Sequence, residues 1–140
     1  VDYGKWTGRK LSALSKEKDW KIVQNTPSAM YFPGGEGLLQ VQARGMRALN
    51  AIAHSPGQGP KLLVSHGDVI KAIVAGLVGL HLDNFQRLTI DPASITVIDL
   101  FAESAQIRLM NSTVHLKEPK GLSTGSSKLN LGGGSGTKSK

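Results

Sequence analysis

The residues with the most chemical promise lie in Leu62-Leu63-Val64-Ser65-His66-Gly67-Asp68-Val69-Ile70. A short apolar run suited to a buried strand ends in a polar triplet, and a helix-forming stretch begins at once. In open α/β sheets, ligands bind beyond the carboxyl ends of the strands. The first amides of the helix that follows lack intrahelical partners, and the helix dipole favours an anion there. Gly67 removes a side chain that would keep a ligand from the backbone. His66 brings an imidazole that can donate to a phosphate oxygen or pair with its charge. A plainer reading makes His66 a strand-tip residue and Gly67 a turn former, and spacing alone leaves both open. Asp68 falls in the first helical turn, where a carboxylate stabilises the helix.

Two further stretches concentrate unusual residues. Asp2-Tyr3-Gly4-Lys5-Trp6-Thr7-Gly8-Arg9-Lys10 packs two aromatics, two glycines and three cations into nine positions. Tyr3 could donate to an anionic ligand, with Arg9 or Lys10 supplying charge, whereas Trp6 reads as a core plug at the entry to a helix. Phe32-Pro33-Gly34-Gly35-Glu36 places a tight turn before an acid at a helix start. That is sound N-terminal helix chemistry in itself, and it also leaves Glu36 a candidate for the neighbourhood of the site.

The elements that must position these residues follow from periodicity and breakers. Gly8 to Lys18 reads as a short helix carrying Leu11 and Leu14, and Pro27 to Gly35 as a loop. Glu36 opens a long amphipathic helix whose stripe runs Leu38, Val41, Gly45, Leu49, Ile52 and stops near Ser55-Pro56-Gly57. Lys61 to Ser65 is expected as a buried strand, and Asp68 to Val78 as a helix packed on a sheet. Ile95 to Phe101 and Gln106 to Met110 are expected as two strands joined by a turn at Glu103-Ser104. The order predicts α/β layers with one parallel connection and an antiparallel edge.

Bulk properties narrow the classes. The 140 residues suffice for one domain, and 39% apolar content suits a globular chain. Nothing approaches the ~20 apolar residues of a membrane span, and no secretory leader pattern opens the chain. With no cysteine there is neither disulfide nor thiolate chemistry, and cytoplasm is the default expectation. The +7 net charge is lopsided: residues 117–140 hold five lysines and one glutamate, and residues 1–116 hold twelve basic and nine acidic groups. Without a basic stripe interleaved with aromatics, the pattern argues against nucleic-acid binding. Residues 117–140, rich in Gly, Ser, Thr and Lys, read as a disordered basic tail. His54, His81 and His115 form no metal-ligand spacing, so neither metal nor other cofactor is expected. No Walker loop or G-x-S-x-G elbow is present.

The blocks DYGKWTGRKL, PSAMYFPGGEG and LLVSHGDVIKAIVAGLVGLHLDNFQRLTIDPASITVI, in that order, resemble the histidine phosphatase superfamily, also called phosphoglycerate-mutase-like, and most closely its actinobacterial phosphomutase-type branch. A lone Ser-His-Gly is a weak signal, but three blocks in register from Asp2 to about Asn111 are a strong one. The resemblance implies an α/β fold, a three-layer α/β/α sandwich, here lacking its N-terminal strands. Residues 1–116 would be the C-terminal part of that domain. It implies that His66 is the second catalytic histidine, contacting the transferred phosphoryl oxygens, and that the Gly67 amide helps hold the phosphate. Tyr3 would contact substrate, by a weaker correspondence, and Glu36 belongs to the family's Pro-Gly-Gly-Glu turn.

The resemblance further implies phosphomonoester hydrolysis or mutase-type phosphoryl transfer through a phosphohistidine, on a phosphorylated small molecule. The family's nucleophile stands in an Arg-His-Gly motif, and these 140 residues contain none. Its general-acid glutamate precedes the D-Y-G-x-W block and also has no counterpart. The expectation is therefore a member whose N-terminal portion is missing. The rival is a catalytically inactive remnant or phosphate-binding module of the same fold. A sheet short of strands exposes an edge, so oligomerisation, poor solubility or partial disorder is expected of the isolated chain.

Overall fold

In the computed structural model, which describes residues 1–57, 59–101 and 104–116, the chain opens with a 3₁₀ turn at Gly4–Trp6 and two short helices, α1 (Leu11–Leu14) and α2 (Trp20–Asn25). The expected Gly8–Lys18 helix thus shrinks to one turn, because only Leu14 of its apolar pair is buried; Leu11 stays 41% exposed. Trp6 is buried, stacked on Trp20 at 6.1 Å and edge-on to Phe32 at 5.4 Å. These rings explain α2, which its six residues alone would not announce: Val23 is fully buried and Trp20 lies against the core.

Pro27–Ala29 forms a second 3₁₀ turn inside the stretch expected as loop, and Tyr31 bridges Gly37. Helix α3 (Leu38–Ala53) follows, burying Leu38, Val41, Gly45 and Leu49 of the stripe its periodicity predicts, while Ile52 at the end of that stripe is half-buried. Gln40 caps it by accepting the Gly37 amide at 2.9 Å. Helix α4 (Gly67–Leu77) lies against α3. Contact is close at Gly45, where a Cβ would meet Ile73 Cγ1 at 2.7 Å, and Gln42 Nε2 donates to the Ala72 carbonyl at 2.9 Å. Burying this seam together with Trp6, Phe32 and Phe85 supplies the core; each large side chain so buried contributes about 1.5–3 kcal/mol.

Beyond α4, a 3₁₀ segment at Leu82–Arg87 packs back on it, with Leu82 and Phe85 buried. Strands β1 (Ile95–Leu100) and β2 (Ala105–Ser112) then form an antiparallel hairpin, with Ile98 opposite Ile107 and Leu100 opposite Ala105. The hairpin matches the expected antiparallel edge, although Glu103 of the expected turn, like the tail from 117 to 140, lies outside the described residues.

The parallel connection differs. Residues 61–66 run as irregular chain with no strand pairing to them among the described residues. Leu62 and Val64 are each 89% exposed. An apolar run becomes a strand only when a neighbour takes its N–H and C=O groups, and the described sheet has two strands, β1 and β2. For the same reason α4, expected to pack on a sheet, packs chiefly between α3 and the 82–87 segment.

Candidate functional site

His66 is the residue before α4, in extended conformation (φ −106°, ψ 156°), and its carbonyl accepts the Ile70 amide at 3.0 Å. Its side chain makes no capping bond and is exposed, so the imidazole is available at the mouth of the helix. Gly67 occupies the first helical position, where a backbone N–H has no carbonyl one turn earlier. The two residues line an open cleft of about 640 Å³. Its other walls are Val1, Tyr3, the 62–65 segment, Ile70 and the loop Ile90–Ser94 with its Asp91 carboxylate. Among the described lining residues, His66 is the one side chain that can become cationic. The arrangement can offer an anion an imidazole, a glycine amide and the positive end of an eleven-residue helix.

Tyr3 reaches the cleft through the glycine-rich entry segment. Lys5 N donates to the Pro33 carbonyl at 2.9 Å and Glu36 N to the Asp2 carbonyl at 3.0 Å, so residues 2–5 are stitched to the 33–36 turn. Gly4 permits this: at φ +51° a Cβ would stand 2.3 Å from the Pro33 carbonyl oxygen. The Tyr3 ring packs edge-on against Phe32 at 5.0 Å, and its hydroxyl donates to Asp68 Oδ2 at 3.3 Å. Burial first, and then the Asp68 carboxylate, push this hydroxyl well above the usual phenol range. Tyr3 is therefore a neutral donor at any working pH.

Asp68 is 2% exposed. The sequence places it in the first helical turn as a dipole partner; the structure turns it inward as the acceptor for Tyr3, a contact across 65 residues that spacing could not reveal. One turn on, Lys71 is also buried, with Nζ donating to Gln86 Oε1 at 3.3 Å. Burial lowers its pKa, and the carboxylates of Asp68 and Asp91 oppose that shift. A lysine inside an otherwise apolar helix face gave no warning of this.

Glu36 lies elsewhere. Its carboxylate takes a two-point ion pair from Arg44 (Nε at 2.9 Å, Nη2 at 3.0 Å) and accepts the Asp2 amide at 2.8 Å. Hydrogen bonding from Arg44 holds its pKa below the usual carboxylate range. It is not among the residues lining the cleft, so the structure brings Tyr3, His66 and Gly67 together and gives Glu36 the task of fastening the entry segment. His54 bonds the Asn50 carbonyl, and His81 caps the 82–87 segment beside Asp83; neither lines the cleft. Among the described residues no group of three or more His, Cys, Asp or Glu could hold a metal ion, and no helix is long and apolar enough to cross a membrane.

Comparison with known proteins identifies the family and the fold. Residues 1–113 match the family described as Histidine phosphatase superfamily (branch 1). The chain is 28% identical over 120 residues to Phosphoserine phosphatase 1 of Hydrogenobacter thermophilus, covering 84% of this chain and 57% of that protein. It is 34% identical over 102 residues to a protein named Probable phosphoglycerate mutase GpmB, of Cronobacter sakazakii, covering 71% of this chain and 47% of the relative. The chain thus spans about half the length of the curated relatives it matches. The crystal structure of the alpha-ribazole phosphatase from Shigella flexneri superposes with a TM-score of 0.67 at 23% identity, over 80% of this chain and 56% of that one. That likeness places the helices and hairpin in the α/β fold of those phosphatases.

Proposed function

The chain belongs to the histidine phosphatase superfamily, branch 1, and from that membership we propose that His66 and Gly67 hold the phosphate of a small phosphomonoester. The observation that carries this reading is the placement of an exposed imidazole and a glycine amide together at the start of α4, inside the cleft. In the proposed role, His66 donates to a phosphoryl oxygen and Gly67 N–H to another. Tyr3, kept neutral, forms a wall of the cleft near the ester. These groups stabilise charge on the phosphoryl oxygens and transfer nothing themselves.

Turnover by a phosphohistidine route needs a second histidine in line with the leaving oxygen. None of the four histidines here stands in an Arg-His-Gly, and His66 is the one that lines the cleft. On this reading the 140 residues supply the anion-holding half of a hydrolase or mutase site, and the nucleophile and the acid come from sequence outside them. The unpaired 61–66 segment, with its exposed Leu62 and Val64, supports it, since a strand laid alongside would pair its backbone groups and cover those side chains. p-Nitrophenyl phosphate tests the proposal: the 140-residue chain should bind phosphate without releasing nitrophenol above background. Turnover that His66→Ala abolishes would show that these residues are catalytically sufficient and would overturn the half-site reading.

A further inference from the structure

Two non-glycine residues among those described adopt left-handed backbone, Ala93 (φ 59°) and Asn111 (φ 54°), and hydrogen bonds join Asn111 in β2 to the loop that carries Ala93. Asn111 reaches from β2 to Asp91. Its Oδ1 accepts the Asp91 amide at 2.6 Å, and its Nδ2 donates to Asp91 Oδ2 at 2.8 Å. The Asn111 amide in turn donates to Thr96 Oγ1 at 3.3 Å, and Ser94 N closes the turn onto the Asp91 carbonyl at 3.1 Å. Asparagine enters the left-handed region readily, whereas alanine does so only when its surroundings impose it. Strain of this kind gathers at ligand clamps and active sites.

The strained loop lines the same cleft as His66 and Gly67. Ile90, which leads into it, is 4% exposed, and Pro92 has a fixed φ, so the loop is anchored at one end and stiff in the middle. Toward the cleft it offers the carbon of Pro92 and Ala93, the hydroxyl of Ser94 and the exposed Asp91 carboxylate, whose Oδ2 is held by Asn111. If the phosphate sits at the start of α4, the carbon part of its ester must extend along the cleft walls. We infer that Asn111 is a positioning residue for specificity: by gripping both the amide and the carboxylate of Asp91, it holds Pro92–Ser94 as a rigid wall against the carbon portion of a phosphomonoester. The inference rests on the phosphate site proposed above and deepens it.

Amide-resolved NMR titration of the 140-residue chain with inorganic phosphate and with phenyl phosphate separates the two ideas. Both ligands should shift the Gly67 amide, and phenyl phosphate alone should also shift Ala93 and Ser94. Asn111→Gly keeps the left-handed backbone and removes the clamp. It should weaken phenyl phosphate by about fivefold or more, because the wall must then be ordered when the ligand binds, while changing phosphate by less than about twofold. Ala93→Gly leaves the clamp intact and loosens the wall, so a smaller selective loss of about twofold is expected from a variant under no threat of unfolding. Equal weakening of both ligands, or phenyl phosphate binding that leaves Ala93 and Ser94 unmoved, overturns the inference and leaves the phosphate site standing. If neither ligand moves Gly67 in the unaltered chain, the phosphate site itself fails and the inference falls with it.

Discussion

Tyr3→Phe removes one oxygen and leaves the aromatic ring, so its packing on Phe32 persists and no cavity opens. What is lost is the hydroxyl that donates to Asp68, a carboxylate with 2% exposure that water cannot easily re-solvate. A hydrogen bond to a charged group contributes about 1.5–3 kcal/mol, and the 3.3 Å separation places this one at the lower end, so about 1.5 kcal/mol is expected. For a chain of this size that is a fall of roughly 4–6 °C in Tm, or a lower denaturant midpoint at unchanged slope. Asp68 has other interactions, so the single variant Asp68→Ala should cost more than Tyr3→Phe. The double variant isolates the pair: the two costs should fall short of additive by about 1 kcal/mol. Additivity within about 0.3 kcal/mol would refute the claim that Tyr3 fastens the entry segment to α4 through this carboxylate.

Glu36→Gln breaks the ion pair to Arg44, whose side chain is 44% exposed, so solvent screening limits the loss to about 0.5–1 kcal/mol at pH 7. Because Arg44 depresses the folded-state pKa of Glu36, that stabilisation is present above the unfolded value near ~4.3 and is lost as pH falls through the folded one. The variant and the parent should therefore converge in urea titrations as the pH falls below the depressed folded-state value. Gly4→Ala would drive a Cβ to 2.3 Å from the Pro33 carbonyl oxygen and should cost more than about 2 kcal/mol by chemical denaturation. Gly8→Ala has left-handed φ (+75°) but open space, so it should cost only about 1 kcal/mol; equal losses would show that sterics at Gly4 do not matter. We propose that the exposed Leu62 and Val64 drive self-association of the chain, so Leu62→Lys combined with Val64→Lys should shift its sedimentation toward monomer, and sedimentation unchanged by the pair of substitutions would refute that.

The parts of this molecule that were legible in sequence are those decided by local pattern. The α3 stripe from Leu38 to Leu49 repeats often enough to give both helix and buried face. The strand pair beginning at Ile95 and Ala105 shows through its β-branched and alternating residues. The junction at His66 reads correctly as the start of a helix because Gly67 and Asp68 follow an apolar run directly. What escaped depends on partners distant in the chain. Leu62 to Val64 has the composition of a strand, but strand formation belongs to a pair of segments, and none of the described residues supplies the second. Helix α2 exists because Trp20 finds Trp6, and the 82–87 segment because Phe85 finds the core under α4. At the candidate site, Gly67 was visible by type and place. The Tyr3–Asp68 bond and the Asn111 clamp on Asp91 span 65 and 20 residues and needed the fold to appear.

The start of α4 is proposed as an anion site built from His66 and Gly67. Its most direct test is a titration of the chain with inorganic phosphate, following the Gly67 amide and the His66 ring by NMR, in parallel with His66→Ala. Saturable shifts are expected at both groups in the parent, with loss of saturation at Gly67 in the variant at unchanged secondary structure. Shifts confined to surface lysines, or a Gly67 response that survives His66→Ala undiminished, would contradict it.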